Sequence, residues 1–294
     1  MQLSSEQLKE LASTAEGAAR QAGALIREYA QREVEVLHKE GGDSLASQVV
    51  TEVDGLAQDV ILKLLEPTRA TYDLALLTEE LEDDGSRLEK DYFWCIDPMD
   101  GTLPFTRRQP GYAVSIALVA ADGSPQIGVI FDPVEDCLYT AVSGRGVLIN
   151  GAPFRLRESG PREANILRFY CDCTFEEDPE RELLTASMLA FAKAEGYAGG
   201  DVILGGGAVL NACTVLLNGP AIYFKKPKAA LGGGCAWDFA STARLFEESG
   251  ASVSDYFGNR LELNSATHRF FNHCGACLTT EPGLVARLAP FFSV

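Results

Sequence analysis

The hydrophobic pattern of this chain changes character near its middle, and that change limits the folds open to it. Apolar side chains first recur at helical intervals, over Ser5–Gln31 and again over Val53–Leu65. Ser4 and Gln7 have capping-box spacing in front of the first run, and Pro67 should end the second helix. The chain is therefore predicted to begin with two helices.

Four apolar runs follow the helices, separated by Gly, Asp or Pro turns, and each run predicts a strand. They are Phe93–Ile96, Tyr112–Val119, Gln126–Phe131 and Cys137–Val142. Consecutive strands joined by short turns form an antiparallel meander. We therefore predict an α+β first half that is built on an antiparallel sheet.

Beyond a polar, turn-prone stretch at residues 158–161, strand-like and helix-like segments alternate. The predicted strands are Ile166–Tyr170, Val202–Leu204 and Ala221–Phe224, and the predicted helices are Glu182–Ala194, Ala208–Leu217 and Trp237–Glu248. Such alternation is typical of a mostly parallel or mixed sheet with helices packed on it. We place a domain boundary near residue 160, between an α+β domain of residues 1–160 and an α/β domain of residues 161–294.

The charge balance narrows the function classes. The 294 residues carry a formal net charge of −17, from 42 Asp and Glu against 25 Lys and Arg, so a nucleic acid polymer would be repelled. No apolar stretch approaches the ~18 residues of a membrane span, and the N-terminus lacks the pattern of a secretory signal. Eight scattered cysteines in such a chain predict free thiols. We therefore expect a cytoplasmic protein without a membrane or nucleic acid partner.

The segment Asp97-Pro98-Met99-Asp100-Gly101-Thr102 carries the clearest chemical signal, because it directly follows an apolar strand. Ligand sites concentrate in loops at sheet ends, and two carboxylates there offer the hard oxygen ligands that a divalent cation prefers. The amides of Gly101, Thr102 and Leu103 should begin a helix or turn, where backbone N–H groups bind anions. Asp-Pro and Asp-Gly pairs alone are ordinary turn formers. The six residues together favour metal-assisted phosphoryl transfer.

Two more acidic segments have local explanations of their own. Glu79 follows the apolar run Leu74–Leu77, but it also opens an acidic stretch that could be a surface loop. Asp238 follows the glycines Gly232–Gly234 in the first turn of a predicted helix, where the helix dipole alone would favour an acid. Because the chain also contains the acidic segment at residues 97–102, we treat both Glu79 and Asp238 as candidate metal ligands.

The chain resembles the inositol monophosphatase family, which includes 3′(2′),5′-bisphosphate nucleotidases. Four of its motifs match motifs of that family and occur in the same order as they do there. The motifs are Val50–Asp54, Thr78–Glu80, Trp94–Thr102 with Tyr112–Leu118 after it, and Trp237–Ala240 with Gly250 after it. Gly144–Val147 followed by Asn150-Gly151 also matches. The resemblance implies a layered αβαβα sandwich, a phosphatase that acts on a small phosphorylated metabolite, sensitivity to lithium, and a homodimer.

The resemblance also implies which residues hold two or three Mg²⁺ ions. Glu79, Asp97 and the main-chain carbonyl of Met99 would hold the first ion, and Asp97, Asp100 and Asp238 would hold the second. Glu79 and water molecules would hold a third ion more weakly. This set agrees with the preference of magnesium for oxygen ligands.

The catalytic residues implied by the resemblance are Thr102, Asp54 and Glu79. Thr102, oriented by Asp54, would position the attacking water. The amides of Gly101 and Thr102 would bind the phosphate. Most of the rate would come from charge neutralisation and in-line positioning.

Substrate choice stays open, because the chain departs from both subgroups that we compare. The bisphosphate nucleotidases usually have Lys-Glu-Phe where this chain has Leu103-Pro104-Phe105. The inositol-type enzymes place an acid before the Trp-Asp pair, where residues 229–234 hold none. The cluster Lys225, Lys226 and Lys228 could bind a second phosphate or sulfate, or it could be a solvated basic loop. Further candidates are Arg107, Arg108 and His273.

Two other classes of protein remain as alternatives: a catalytically silent binding or regulatory protein of the same fold, and an acidic metal buffer. The complete set of candidate ligands argues against the first, and Thr102 with its anion-binding turn argues against the second. Cys171, Cys173, Cys274 and Cys277 lack the second well-spaced ligand pair of a structural zinc site. Gly205–Gly207 lacks the spacing of a nucleotide-binding loop and predicts close packing instead.

Overall fold

The structure is a computed structural model, and it describes residues 2–32, 36–38 and 49–292. In this part of the chain the helices are α1 Ser5–Tyr29, α2 Glu52–Tyr72, α3 Thr102–Thr106, α4 Arg181–Ala194, α5 Ala208–Leu217, α6 Ala236–Ser249 and α7 Val285–Phe292. The strands are β1 Val36–His38, β2 Val49–Thr51, β3 Ala75–Thr78, β4 Tyr92–Asp100, β5 Ala113–Ala120, β6 Pro125–Asp132, β7 Cys137–Val142, β8 Val147–Ile149, β9 Ala152–Phe154, β10 Ile166–Cys171, β11 Gly199–Leu204, β12 Ala221–Lys225, β13 Ser252–Ser254 and β14 Ala276–Thr279. Among these helices, none has the length and apolar content needed to cross a bilayer.

The N-terminal helix begins as its sequence predicts. The Ser4 hydroxyl accepts a hydrogen bond from the Gln7 amide at 3.3 Å, and the Gln7 side chain accepts one from the Ser4 amide at 2.8 Å. These two bonds satisfy amides that lack a partner at the start of a helix. The capping box predicted before α1 is therefore confirmed.

The prediction that the second helix stops at Pro67 is wrong, because α2 continues to Tyr72. Pro67 is exposed, so water can solvate the carbonyl that loses its N–H partner. At the next residue, the Thr68 hydroxyl accepts a hydrogen bond from the Trp94 indole at 3.0 Å. This tertiary contact holds the last turns of the helix against the sheet.

The strand that carries the acidic segment is longer than predicted. We expected Asp97 and Asp100 to follow the strand, whereas β4 includes both, with Asp97 opposite Ser115 and Asp100 opposite Ala113. The register shifts between the two acids, and the Met99 amide donates to Asp97 Oδ1 at 3.0 Å. The irregularity at Pro98 and Met99 lets both carboxylates serve one site.

Two sheets form the framework. The first has the order β3-β4-β5-β6-β7-β8-β9, antiparallel except for the parallel pair β3 and β4. The second has the order β11-β10-β12-β14-β13, in which β11, β10 and β12 are parallel and the other two strands pair antiparallel. The predicted antiparallel meander and mixed second sheet are confirmed.

Alternation along β4 shows how the layers are built. Phe93 and Cys95 belong to the core shared with α5 and α6, whereas Trp94 and Ile96 belong to the core shared with α1 and α2. Period-two alternation of this kind is required of a sheet covered on both faces. On the second sheet, residues such as Phe169 pack against α4 and α7. The resulting order is helices, sheet, helices, sheet, helices, and the predicted αβαβα sandwich is confirmed.

The division near residue 160 falls between the last strand of the first sheet and the first strand of the second. One buried cluster nevertheless joins both sides, since Phe93 and Tyr170 pack in it together with Phe239 of α6. The two-domain division stays a prediction about folding units.

Candidate functional site

A cleft of about 760 Å³ lies where the parallel strands of both sheets end. Glu79 follows β3, Asp172 follows β10 and Gly206 follows β11, while Asp100 and Lys225 end β4 and β12. Ligands of open α/β sheets bind outside the carboxyl ends of the strands. The topology therefore collects side chains from both halves of the chain in one cleft.

Three carboxylates meet in this cleft. Each of Asp97, Asp100 and Asp238 offers an oxygen, and these oxygens all lie within 4.8 Å of one another. Asp97 and Asp100 come from β4, and Asp238 comes from the first turn of α6. Asp97 and Asp100 are buried, and Glu79 lies half-buried in the lining of the same cleft. The structure thus brings together the four predicted acidic ligands.

Backbone amides hold two of the carboxylates in place. Asp238 Oδ2 accepts from the Cys235 amide at 2.5 Å at the start of α6. Asp100 accepts from the amides of Ala208 and Val209 at 3.2 and 2.9 Å, at the start of α5. A helix N-terminus favours negative charge, so these hydrogen bonds orient both carboxylates and oppose the effect of burial on their pKa values.

Burial and mutual repulsion make the charged forms of the clustered carboxylates unfavourable unless a cation is bound. Burial, and then repulsion by Glu79, Asp100 and Asp238, raises the pKa of Asp97 well above its usual value. Burial, and then repulsion by Asp238, does the same to the pKa of Asp100. Like charges that share a buried site are costly unless a counter-charge is present. An all-oxygen donor set with this charge fits a hard divalent cation.

A second unit, formed by Thr102 and Asp54, adjoins the cluster. The Thr102 hydroxyl donates to Asp54 Oδ1 at 2.9 Å and lies 3.2 Å from the Met99 carbonyl oxygen. The other oxygen of Asp54 accepts from the amide and the hydroxyl of Thr51, both at 2.7 Å. Burial is the largest influence on the pKa of Asp54 and raises it. The predicted pair is in contact, and Thr51 fixes it from behind.

Gly101 turns the chain between the acids and Thr102. Its φ is +88°, a conformation that favours glycine, and a Cβ would lie 2.4 Å from the Gly111 carbonyl oxygen. Gly101 and Thr102 line the cleft at the start of α3, as predicted.

The three clustered lysines also line the cleft, and Lys225 is the one whose position beside the acids can be described in detail. Its ammonium lies 2.9 Å from Asp172 Oδ2. The other oxygen of Asp172 accepts from the Tyr223 hydroxyl at 2.7 Å and the Asn211 amide nitrogen at 3.1 Å. Burial disfavours the charge of Lys225, but attraction by Asp172 and then Asp238 raises its pKa above the usual value. Lys225 is therefore a cation beside the acidic cluster.

Two of the remaining candidate cations, Arg107 and His273, have other partners. Arg107 forms an ion pair with Glu177 at 2.9 Å. His273 is exposed and stacks on His268, with ring centroids 4.4 Å apart. In the described part of the chain, neither side chain is among those that line the cleft.

Several site residues were missed by the sequence reasoning, although weak signals existed for two of them. Thr51 lies three residues before Asp54, the spacing of a capping box. Asp172 lies two residues after the end of the predicted strand Ile166–Tyr170. Asn211, Tyr223 and the amides that hold Asp100 carry no local signal.

Comparisons of the sequence with known proteins bear on the family of the chain. The sequence profile of the inositol monophosphatase family matches residues 7–287. Inositol monophosphatase 2 of Homo sapiens is 32% identical over 247 residues, which cover 82% of this chain and 79% of the human protein. Nus factor SuhB of Escherichia coli strain K12 is 30% identical over 241 residues, which cover 82% of this chain and 83% of that protein.

The solved structures agree on the fold. The extragenic suppressor protein suhB from Bartonella henselae superposes with a TM-score of 0.71 at 22% identity, and the match covers 95% of this chain and 98% of that chain.

Proposed function

Since this chain belongs to the inositol monophosphatase family, we propose that it is a Mg²⁺-dependent phosphatase that hydrolyses a phosphate monoester of a small soluble metabolite. The observation that carries the proposal is the cluster of the buried Asp97 and Asp100 with the half-buried Asp238, beside the hydrogen-bonded pair of Thr102 and Asp54. A metal buffer would need the first feature but not the second.

Two or three Mg²⁺ ions would be held by the acidic residues. Glu79, Asp97 and the Met99 carbonyl would bind one ion, and Asp97, Asp100 and Asp238 would bind another, with Glu79 contributing to a weaker third. When bound, these ions would neutralise the phosphate charge and lower the pKa of a bound water. Calcium and lithium are expected to inhibit, as in the family that the sequence resembles.

Thr102 would orient the attacking water. Its hydroxyl donates its proton to Asp54, and its oxygen is then left with lone pairs that accept a hydrogen bond from water. Asp54 cannot swing away, because Thr51 holds its other oxygen with two hydrogen bonds. The pair therefore fixes the direction in which the water presents its own lone pair.

The turn at Gly101 would hold the phosphate. Gly101 and Thr102 line the cleft next to the acids at the start of α3, where backbone amides favour an anion. Most of the rate would come from positioning and charge stabilisation, since phosphoryl transfer needs little covalent chemistry from the protein.

Two alternative functions differ from the proposed one: an enzyme with another substrate, and a protein without catalytic activity. A bisphosphate nucleotidase that acts on adenosine 3′,5′-bisphosphate is favoured by the cations around the cleft, above all Lys225. A catalytically silent regulatory protein is favoured by relatives named Nus factor. The intact acidic cluster and the Thr102–Asp54 pair favour an enzyme over the silent protein.

A phosphate-release screen separates these functions. The purified protein is assayed with Mg²⁺ on inositol phosphates, sugar phosphates and nucleoside bisphosphates. Release from monophosphates alone supports the proposed function, and strong preference for bisphosphates supports the nucleotidase. No release from any class, by a folded protein that binds Mg²⁺, would support the regulatory alternative.

We expect the lysine cluster to act mainly through Lys225. Lys225→Met at saturating Mg²⁺ should raise KM for bisphosphorylated substrates about 10- to 100-fold, because a charge-assisted hydrogen bond contributes roughly 1.5–3 kcal/mol. KM for monophosphates should change much less, and the difference should shrink as salt rises.

Lys228→Met is the comparison variant, since Lys228 is exposed and the charge interactions of an exposed lysine contribute little. Changing Lys225, Lys226 and Lys228 together should add little to the effect of Lys225→Met. Equal loss for both substrate classes, or no loss for either, would assign the lysines no part in substrate choice.

A further inference from the structure

Asp100 is held in place from the other half of the molecule. It lies at the end of β4 in the first sheet, yet its two oxygens accept hydrogen bonds from Ala208 and Val209, at 3.2 and 2.9 Å. The first amides of a helix have no partner within the helix, so the carboxylate satisfies two of those in α5. Each oxygen keeps a further lone pair that can face the cleft. The start of α5 therefore sets the direction of this carboxylate.

Gly207 leaves the space that Asp100 occupies. A Cβ at this position would lie 2.3 Å from Asp100 Oδ2, 2.7 Å from its Cγ and 2.8 Å from its Oδ1. The backbone of Gly207 has φ −73° and ψ 172°, which any residue adopts without strain. Glycine is therefore required here because a side chain would clash with Asp100, and not because the backbone conformation excludes other residues.

Neighbouring glycines pack the start of α5 against Gly111, in the loop between α3 and β5. The Gly207 amide donates to the Gly111 carbonyl at 2.8 Å. A Cβ at Gly206 would lie 2.3 Å from the Gly111 Cα, so the two backbones touch. The close packing predicted for Gly205–Gly207 is therefore confirmed, and it ties the helix start to the segment that carries the acids.

We propose that Gly207 and the first turn of α5 position Asp100, and thereby set the affinity of the acidic cluster for its divalent cation. The inference rests on the proposed metal-dependent function. Gly207 touches the ligand and not the cation, so it is a positioning residue. Groups that orient a metal ligand typically change metal affinity 10- to 100-fold when they are altered.

Two substitutions at Gly207 separate positioning from helix capping. Gly207→Ala and Gly207→Ser both add the Cβ that meets Asp100, but serine is a good N-cap residue and alanine is a poor one. We expect both variants to raise the Mg²⁺ concentration at half-saturation by about tenfold or more. Half-saturation is measured by the Mg²⁺-dependent rise in Tm and, separately, by Mg²⁺ titration of phosphate release.

Ala208→Pro provides an independent variant that is compatible with the fold. Proline is favoured at the first position of a helix, and the extended ψ of Gly207 suits a following proline. This change replaces the Ala208 N–H that donates to Asp100 Oδ1 by a ring carbon, which displaces that oxygen, and it adds no Cβ at Gly207. It should also raise the half-saturating Mg²⁺ concentration. Gly17→Ala is the matched control, since nothing lies within 4 Å of its added Cβ.

The outcomes distinguish this inference from the function on which it rests. An unchanged Mg²⁺ half-saturation in Gly207→Ser and Ala208→Pro would overturn the positioning role, even if Tm without Mg²⁺ fell. A weaker Mg²⁺ response in both, with Gly17→Ala unchanged, would support it. If the wild-type protein bound Mg²⁺ but released no phosphate, the proposed function would fail while the positioning of Asp100 could still be read from the Tm titration.

Discussion

Replacing Asp97 by asparagine is expected to lower phosphatase turnover by about 1,000-fold while the protein stays folded. Asp97 would bind both principal metal ions, so losing its charge weakens two sites at once. Removing one stabilising contact to transition-state charge typically costs on the order of 100- to 1,000-fold, and a shared ligand belongs at the upper end. The readout is kcat for phosphate release at saturating substrate and Mg²⁺.

The fold should tolerate Asp97→Asn, because the change relieves repulsion among the acids. Burial and repulsion by the other acids disfavour a charged Asp97 in the absence of metal, and a neutral amide relieves that repulsion. Its oxygen can still accept the hydrogen bond from the Met99 amide. Tm without Mg²⁺ should therefore not fall, while the rise in Tm on adding Mg²⁺ should shrink.

Asp59→Asn is the control for Asp97→Asn. It makes the same chemical change on the exposed face of α2, away from the acidic cluster. It should leave kcat and the Mg²⁺ response unchanged. Near wild-type turnover in Asp97→Asn would mean that the metal assignment is wrong.

Replacing Thr102 by valine is expected to lower kcat by about 100-fold. Valine has nearly the same shape as threonine but has no hydroxyl, so the water loses the acceptor that orients it. Asp54 keeps both hydrogen bonds from Thr51, and the local fold should persist. The Mg²⁺-dependent rise in Tm should be retained, which separates this defect from that of Asp97→Asn.

Two further variants test whether the loss in Thr102→Val comes from the missing hydroxyl. Thr102→Ser restores the hydroxyl and should recover most of the lost activity. Thr106→Val removes a hydroxyl from the same short helix, where it donates only to the Leu103 carbonyl, and it should have little effect. If Thr102→Val turned over as fast as Thr106→Val, Thr102 would have no catalytic role.

The fold was predictable wherever a local pattern determines structure. Alternating apolar residues and turn signals placed the strands of the meander, and Ser4 with Gln7 placed the start of α1. The prediction that α2 stops at Pro67 failed, because a helix can continue through proline when the carbonyl that loses its N–H partner is solvated. Sequence does not reveal that solvation. The extra length of β4 depends on a register shift between Asp97 and Asp100 that only pairing with β5 creates.

The same limit applies to the site. Asp97, Asp100 and Asp238 lie in motifs with local meaning, so the sequence pointed to them. The amides that hold Asp100 lie 108 and 109 residues further along the chain, and no spacing rule connects them. Asp172 is an isolated acid after a strand, and its role in holding Lys225 depends on side chains from β12 and α5. Tertiary contacts, and not motifs, bring these parts of the site together.

The most direct test of the central claim is phosphate release before and after removal of divalent cations. The protein is treated with excess chelator, transferred to metal-free buffer and assayed on a phosphate monoester that it hydrolyses, without and then with added Mg²⁺. We predict that activity is lost without the metal and returns when Mg²⁺ is added, because the buried acids need a counter-charge to act on an anionic substrate. Full phosphate release in the presence of excess chelator would contradict the account.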